Sequence, residues 1–250
     1  MRITYFDTAF TRIEVDGVAL ITDPVLGAAG SSHAFGWGMT SRKTSDPIQA
    51  IDIGGFDAIL LSHDQHGDNL DDEARGLFEG APKVITTTSA ARRIGGRVIG
   101  LAPFSSLPVD GTSGASVRVT ATPARHGPPL SQPVVGDVVG FAIEHASGVL
   151  YVTGDTVLYR GVTEVASRFP RVNVVLAHLG AASYGPLRFT MNAKEAVALA
   201  RTFPDAKIVP VHYEGWTHFA QNRDHVDAAF AAEGLSDRLV WLERGVARDL

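Results

Sequence analysis

Four times along this chain a short apolar run stops abruptly at histidine or aspartate. Ala58–Leu61 runs into Ser62, His63, Asp64, Gln65, His66, Gly67, Asp68 and Asn69; Val117–Thr122 into Pro123, Ala124, Arg125 and His126; Val149–Thr153 into Gly154, Asp155 and Thr156; and Ile208–Val211 into His212. Continuous β-branched runs mark strands covered on both faces, which requires helices outside the sheet. Open α/β sheets place ligand sites just past the strand ends. The repeated punctuation therefore predicts strands whose polar ends gather at a rim, and no other feature of the sequence narrows the fold as much.

The remaining pattern fits such a fold. Ile3–Phe6, Arg12–Val15 and Val18–Thr22 read as strands, with Asp16-Gly17 as a two-residue hairpin turn. Val84–Thr87, Gly140–Glu144 and Val172–Ala177 add further strands. Asn192–Phe203 places Ala193, Ala196, Val197, Ala200 and Phe203 on one helical face behind an Asn192/Glu195 capping box, and Asn222–Glu233 reads as a second helix closed by Gly234. Gly27–Gly38, by contrast, is too rich in glycine and small residues to sustain a strand or helix, and reads as a lid or surface loop carrying His33, Phe35 and Trp37. No repeat or linker divides residues 1–250, so one α/β domain with sheets between helix layers is expected.

The chain has no cysteine, so its strand ends offer imidazole and carboxylate but no thiolate. Those donors suit zinc, manganese or iron, and a loop presenting several of them can wrap one ion. A lone buried histidine is more often hydrogen-bonded core than ligand; four such strand ends together favour a metal site. His178, in VVLAHLG, also ends a strand, and Trp216 and His218 follow His212 closely, which makes these three candidates for a substrate pocket. With 22 Lys and Arg against 27 Asp and Glu, the net charge of −5 supplies no counterion-release drive for nucleic acid. No run of roughly 18 apolar residues exists for stable membrane insertion. A cytoplasmic protein acting on a small molecule is expected, with the oligomeric state left open.

In order, the His/Asp-rich loop near residue 60, PARHGP (Pro123–Pro128), YVTGDT (Tyr151–Thr156) and PVHYEGW (Pro210–Trp216) resemble the metallo-β-lactamase superfamily. Within it, LITDPVL (Leu20–Leu26) and RFTMNAKEA (Arg188–Ala196) are similar to the branch containing ascorbate-6-phosphate lactonase and N-acyl-phosphatidylethanolamine phospholipase D. The resemblance spans essentially the whole chain. It implies a four-layer αββα sandwich, a site at the strand ends holding one or two divalent ions (zinc, manganese or iron), and hydrolytic chemistry.

The superfamily loop is HxHxDH, and this chain departs from it. His63 matches the first histidine and Asp68 the aspartate, but the two registers differ by one residue. Either Gln65 stands at the second histidine position, or the loop carries one extra residue and His66 stands there. We prefer the latter, which keeps His63, His66 and Asp68 together and leaves Asn69 in place of the last histidine. Asp64 replacing the first histidine is a weaker alternative. By resemblance His126 completes one metal position, Asp155 bridges, and His212 belongs to the second, which Asn69 deprives of an imidazole.

These residues imply a hydrolase that uses a metal-activated water on a small ester, lactone or phosphodiester, with Asp68 orienting the water or accepting its proton. Two other readings compete: a metal- or ligand-binding protein whose loop has decayed at Gln65 and Asn69, and a nucleic-acid phosphodiesterase, which the charge disfavours.

Overall fold

The computed structural model describes residues 1–35, 38–46 and 53–250, so Trp37 lies outside it. Among the described residues the strands are β1 (Arg2–Asp7), β2 (Phe10–Val15), β3 (Val18–Thr22), β4 (Ser32–Ala34), β5 (Thr40–Arg42), β6 (Ala58–Leu60), β7 (Val84–Thr87), β8 (Val98–Leu101), β9 (Ser106–Asp110), β10 (Ser116–Pro123), β11 (Val139–His145), β12 (Gly148–Val152), β13 (Val172–His178), β14 (Ser183–Tyr184), β15 (Leu187–Arg188), β16 (Lys207–Val211) and β17 (Ala247–Asp249). The helices are α1 (Leu77–Gly80), α2 (Thr88–Ile94), α3 (Gln132–Val135), α4 (Arg160–Arg168), α5 (Ala193–Thr202) and α6 (Arg223–Ala232).

Two large sheets face each other. One has seven strands in the order β17-β1-β2-β3-β6-β7-β8, the other six in the order β16-β13-β12-β11-β10-β9. In both sheets the strands that lead into the polar loops near residues 60 and 212 have parallel neighbours, β6 with β3 and β7, β16 with β13. Strand alternation explains how continuous apolar runs serve two layers. Leu150 and Val152 of β12 and Val174 and Leu176 of β13 enter the core between the sheets, while Val149, Tyr151, Val175 and Ala177 pack outward with Val162 and Val165 of α4, Ala196 and Ala200 of α5 and Phe230 of α6. A third core joins Ile21, Ile59 and Val84 to Leu77, Phe78 and Ile94 outside the other sheet. The layers are thus α, β, β, α.

Local expectations fare as the physics directs. Asp16 and Gly17 turn the β2–β3 hairpin with φ of 48° and 78°, the doubly positive pair that matches strand twist. Asn192 caps α5 through a reciprocal capping box with Glu195. The expectation that Gly27–Gly38 sustains no strand is corrected: β4 pairs with β5 in antiparallel register, Ser32 opposite Arg42 and Ala34 opposite Thr40. Tertiary contact supplies what propensity lacks. Lys43 bridges to Trp216, and the Thr217 amide donates to the Arg42 carbonyl at 3.0 Å, so the hairpin is fastened to the segment after β16.

Candidate metal centre

The loop after β6 belongs to the seven-stranded sheet, whereas His126, Asp155 and His212 follow β10, β12 and β16 of the other. The structure brings these ends together at the seam. One ligand atom each from His63, His66, His126 and Asp155 lies within 4.8 Å of the others, and the same is true of Asp68, Asp155 and His212. Asp155 belongs to both groups, and all six side chains are buried.

Within the first group, His66 Nδ1 is 3.0 Å from His63 Nε2 and 3.1 Å from His126 Nε2. Oxygen partners on the outer side hold these rings. His126 Nδ1–H donates to the Phe189 carbonyl at 3.0 Å, leaving its Nε2 lone pair aimed at the centre, and His63 Nδ1 is hydrogen-bonded to Ser62 Oγ at 2.9 Å with its Nε2 on the inner side. His212 Nδ1 faces the Leu179 carbonyl at 3.5 Å, and its Nε2 lies 3.2 Å from Asp68 Oδ2 and 3.4 Å from Asp155 Oδ1.

Gln65 and Asn69 have partners of their own. The Gln65 amide lies against Gly136, in the space that a Cβ there would enter, 1.9 Å from its Nε2. Asn69 Nδ2 donates to Ser62 Oγ at 3.3 Å, the hydroxyl that also contacts His63 Nδ1, while its Oδ1 is buried without a partner.

Electrostatics separates the two groups. Burial, together with the neighbouring imidazoles His66 and His126, pushes His63 well below the ordinary histidine value; burial also lowers His66, and takes His126 down to about 3. Burial lifts Asp155 to about 6. His212 opposes its own burial: the Asp155 and Asp68 carboxylates raise it to about 9. Asp68 likewise stays well below the usual carboxylate range against its burial, because His212 and His218 hydrogen-bond to it.

Whether these residues suit a cation is answered by their unmet valences. Both Asp155 oxygens, Asp68 Oδ1 and His66 Nε2 are buried without a hydrogen-bond partner, a costly state for carboxylates unless a positive charge is present. No lysine or arginine is paired with Asp68 or Asp155 among the described residues. Nitrogen donors on one side, oxygen donors on the other and a shared carboxylate fit one or two divalent ions.

Of the three residues expected to line a substrate pocket, only His218 does so. Its Nε2 is 3.2 Å from Asp68 Oδ2 and its Nδ1 is 2.7 Å from Ser41 Oγ. Trp216 is turned inward, its Nε1 donating to Thr8 Oγ1 at 3.1 Å, and it packs edge-on against Phe35. His178 sits behind the centre, 3.3 Å from Asp23 Oδ2. Asp23 is not among the residues that the sequence singles out, although Leu20–Thr22 ends at it much as the other runs end; it also accepts the Ser62 amide at 2.6 Å and so anchors the start of the loop carrying His63, His66 and Asp68. Phe35, Met39, Val135 and Phe189, which wall the cavity, carry no local signal of that role.

Comparison with known proteins agrees with this architecture. Residues 19–213 match the family described as the beta-lactamase superfamily domain. A UPF0173 metal-dependent hydrolase of Methylobacterium nodulans is 26% identical over 242 residues, covering 94% of each chain. Another, from Carboxydothermus hydrogenoformans, is 29% identical over 231 residues and covers 86% of each. The crystal structure of isothiocyanate hydrolase from Delia radicum gut bacteria superposes with a TM-score of 0.83 at 20% identity, covering 100% of this chain and 99% of that one. The chain belongs to the metallo-β-lactamase superfamily, among relatives named metal-dependent hydrolases.

Proposed function

We propose that this protein is a hydrolase working through a two-position metal centre, with His63, His66 and His126 holding one ion, Asp68 and His212 the other, and Asp155 shared. The observation that carries the reading is the shared, buried Asp155 carboxylate with neither oxygen hydrogen-bonded. A divalent ion held there supplies water acidified toward about 7 and a Lewis acid for the oxygen under attack. Asp68 Oδ1, buried and free of partners, is placed to take the proton released by that water, while His218 holds Oδ2 in position. The Phe189 carbonyl, taking the Nδ1 proton of His126, leaves the inward nitrogen of that ring unprotonated. Small esters, lactones and phosphodiesters, the substrates of the branch that the sequence resembles, are all open to this chemistry.

The decayed-loop reading is disfavoured because six buried His and Asp donors remain gathered in two groups. The test is metal content and turnover of the purified protein after chelation and reloading with zinc or manganese. Two unequally held ions per chain and metal-restored hydrolysis are expected, and Asp155→Asn should lower activity by about a hundredfold or more. A protein that takes up neither ion would overturn the reading.

A further inference from the structure

Two cavities meet at His126. One opens onto the centre, with Phe35 and Met39 of the β4–β5 hairpin in its wall. The other, about 470 Å³, lies beside the start of α2 and the segment that follows β10, and His126 is the only described residue that lines both. His63, His66, Asp68, Asp155 and His212 do not line the second cavity, so a molecule held in it lies apart from the reacting atoms.

Its walls are set before any ligand arrives. Pro103, Pro123, Pro128 and Pro133 line it together with Leu101 and Val139. Proline has one backbone dihedral fixed and no N–H to hydrate, so this surface is both stiff and apolar. One cation faces the space. The Arg125 backbone is pinned on both sides: its N–H donates to Thr156 Oγ1 at 2.9 Å, and its carbonyl accepts the Val157 N–H at 3.0 Å. The guanidinium lies 4.6 Å over the Tyr159 ring, and its Nε is buried without a hydrogen-bond partner. Arg93 and Arg188 are paired with Asp64 and Glu195, whereas Arg125 has no carboxylate partner among the described residues.

A guanidinium donates in its own plane, so an aromatic ring over its face leaves those donors unused. A buried donor without an acceptor costs free energy that an arriving anion recovers. Asp137, the only carboxylate lining the cavity among the described residues, accepts the Ser89 hydroxyl at 2.6 Å. It leaves Arg125 unneutralised and opposes a second negative charge on any occupant.

We propose that this second cavity is a binding site for a small monocarboxylate with an apolar body, its two oxygens on the Arg125 guanidinium and its hydrocarbon against the proline walls. The planar two-oxygen anion matches the guanidinium fork. A phosphate dianion would bring an extra charge toward Asp137 and carry no carbon for the walls to cover. Ser131, also in the lining, donates its hydroxyl proton to the His126 carbonyl at 2.5 Å, so the occupant lies against residues that hold a donor of the three-imidazole group. The site stands or falls independently of the hydrolase reading.

Calorimetric titration with benzoate, benzamide and inorganic phosphate tests this on the protein before and after chelation of its metal. Benzoate should bind once per chain with an affinity that chelation changes by about twofold or less, and benzamide and phosphate should each bind about tenfold or more weakly than benzoate. Arg125→Met should weaken benzoate by about tenfold or more, with Arg125→Lys in between. Thr88→Trp, at an exposed position of the wall, keeps Arg125 and should weaken benzoate as well by filling the space. Benzoate binding that disappears on chelation and survives in Arg125→Met would put the anion on the metals and sink the proposal. So would benzamide or phosphate binding as tightly as benzoate, or no benzoate binding up to about 10 mM.

Discussion

At the scale of single residues, Asn69 changes its meaning once its contacts are known. Read along the chain, it is an imidazole lost from the second metal position; in the fold, its amide supports Ser62, which in turn holds the ring of His63. Replacing it with alanine removes a buried hydrogen bond, at a cost of about 1–2 kcal/mol in stability. It should also weaken the three-imidazole position by about tenfold, since an outer partner of a metal-binding histidine is being removed. Chelator competition on Asn69→Ala would measure this, and an unchanged affinity would mean that Ser62 orients His63 alone. The residues that end apolar runs could be picked out from sequence because a strand's last polar group must emerge at a rim. Asp23 ends a run in the same way, but it stands alone between strand and proline, with no second donor beside it to mark a site. Phe35, Val135 and Phe189 could not be picked out, because apolar residues look alike until the chain is folded around them.

Among the elements, the β4–β5 hairpin decides the shape of the cavity. Its root is a buried ion pair: Lys43 Nζ meets Asp7 Oδ2, Ser45 Oγ donates to the same carboxylate at 2.7 Å, and Arg244 approaches at 3.5 Å. Lys43→Met strands the Asp7 charge in a site where both partners are buried, and should lower unfolding free energy by about 3 kcal/mol. Denaturant titration would check the size of the loss, and a change below about 1 kcal/mol would mean that Arg244 alone neutralises Asp7. Glycine content hid this hairpin from the sequence, because its pairing depends on Trp216 and Thr217, far along the chain. Helix α4 was hidden for a related reason. Gly161, Val162 and Val165 are weak helix formers, and burial against the six-stranded sheet holds them helical. The capped α5, by contrast, carries its own start signal in Asn192 and Glu195.

For the molecule as a whole, the buried histidines make stability depend on pH. His126 is held at about 3 when folded, against 6.5 as its ordinary value, and His63 and His66 are shifted the same way. Below about 6.5 the unfolded chain binds protons that the folded metal-free protein refuses, so stability falls as pH drops from about 6.5 toward 3. Denaturation midpoints of the metal-free protein across that window should show this; a flat profile would mean that these histidines accept protons without unfolding. The position of the centre at the seam has a further consequence, concerning time. A chain without cysteine has no covalent brace between its two sheets, yet three of the six donors hang from one sheet and three from the other. An ion gripped by both halves is a reversible clasp: the sheets separate only after it lets go, so the lifetime of the folded state is tied to how fast the ion departs.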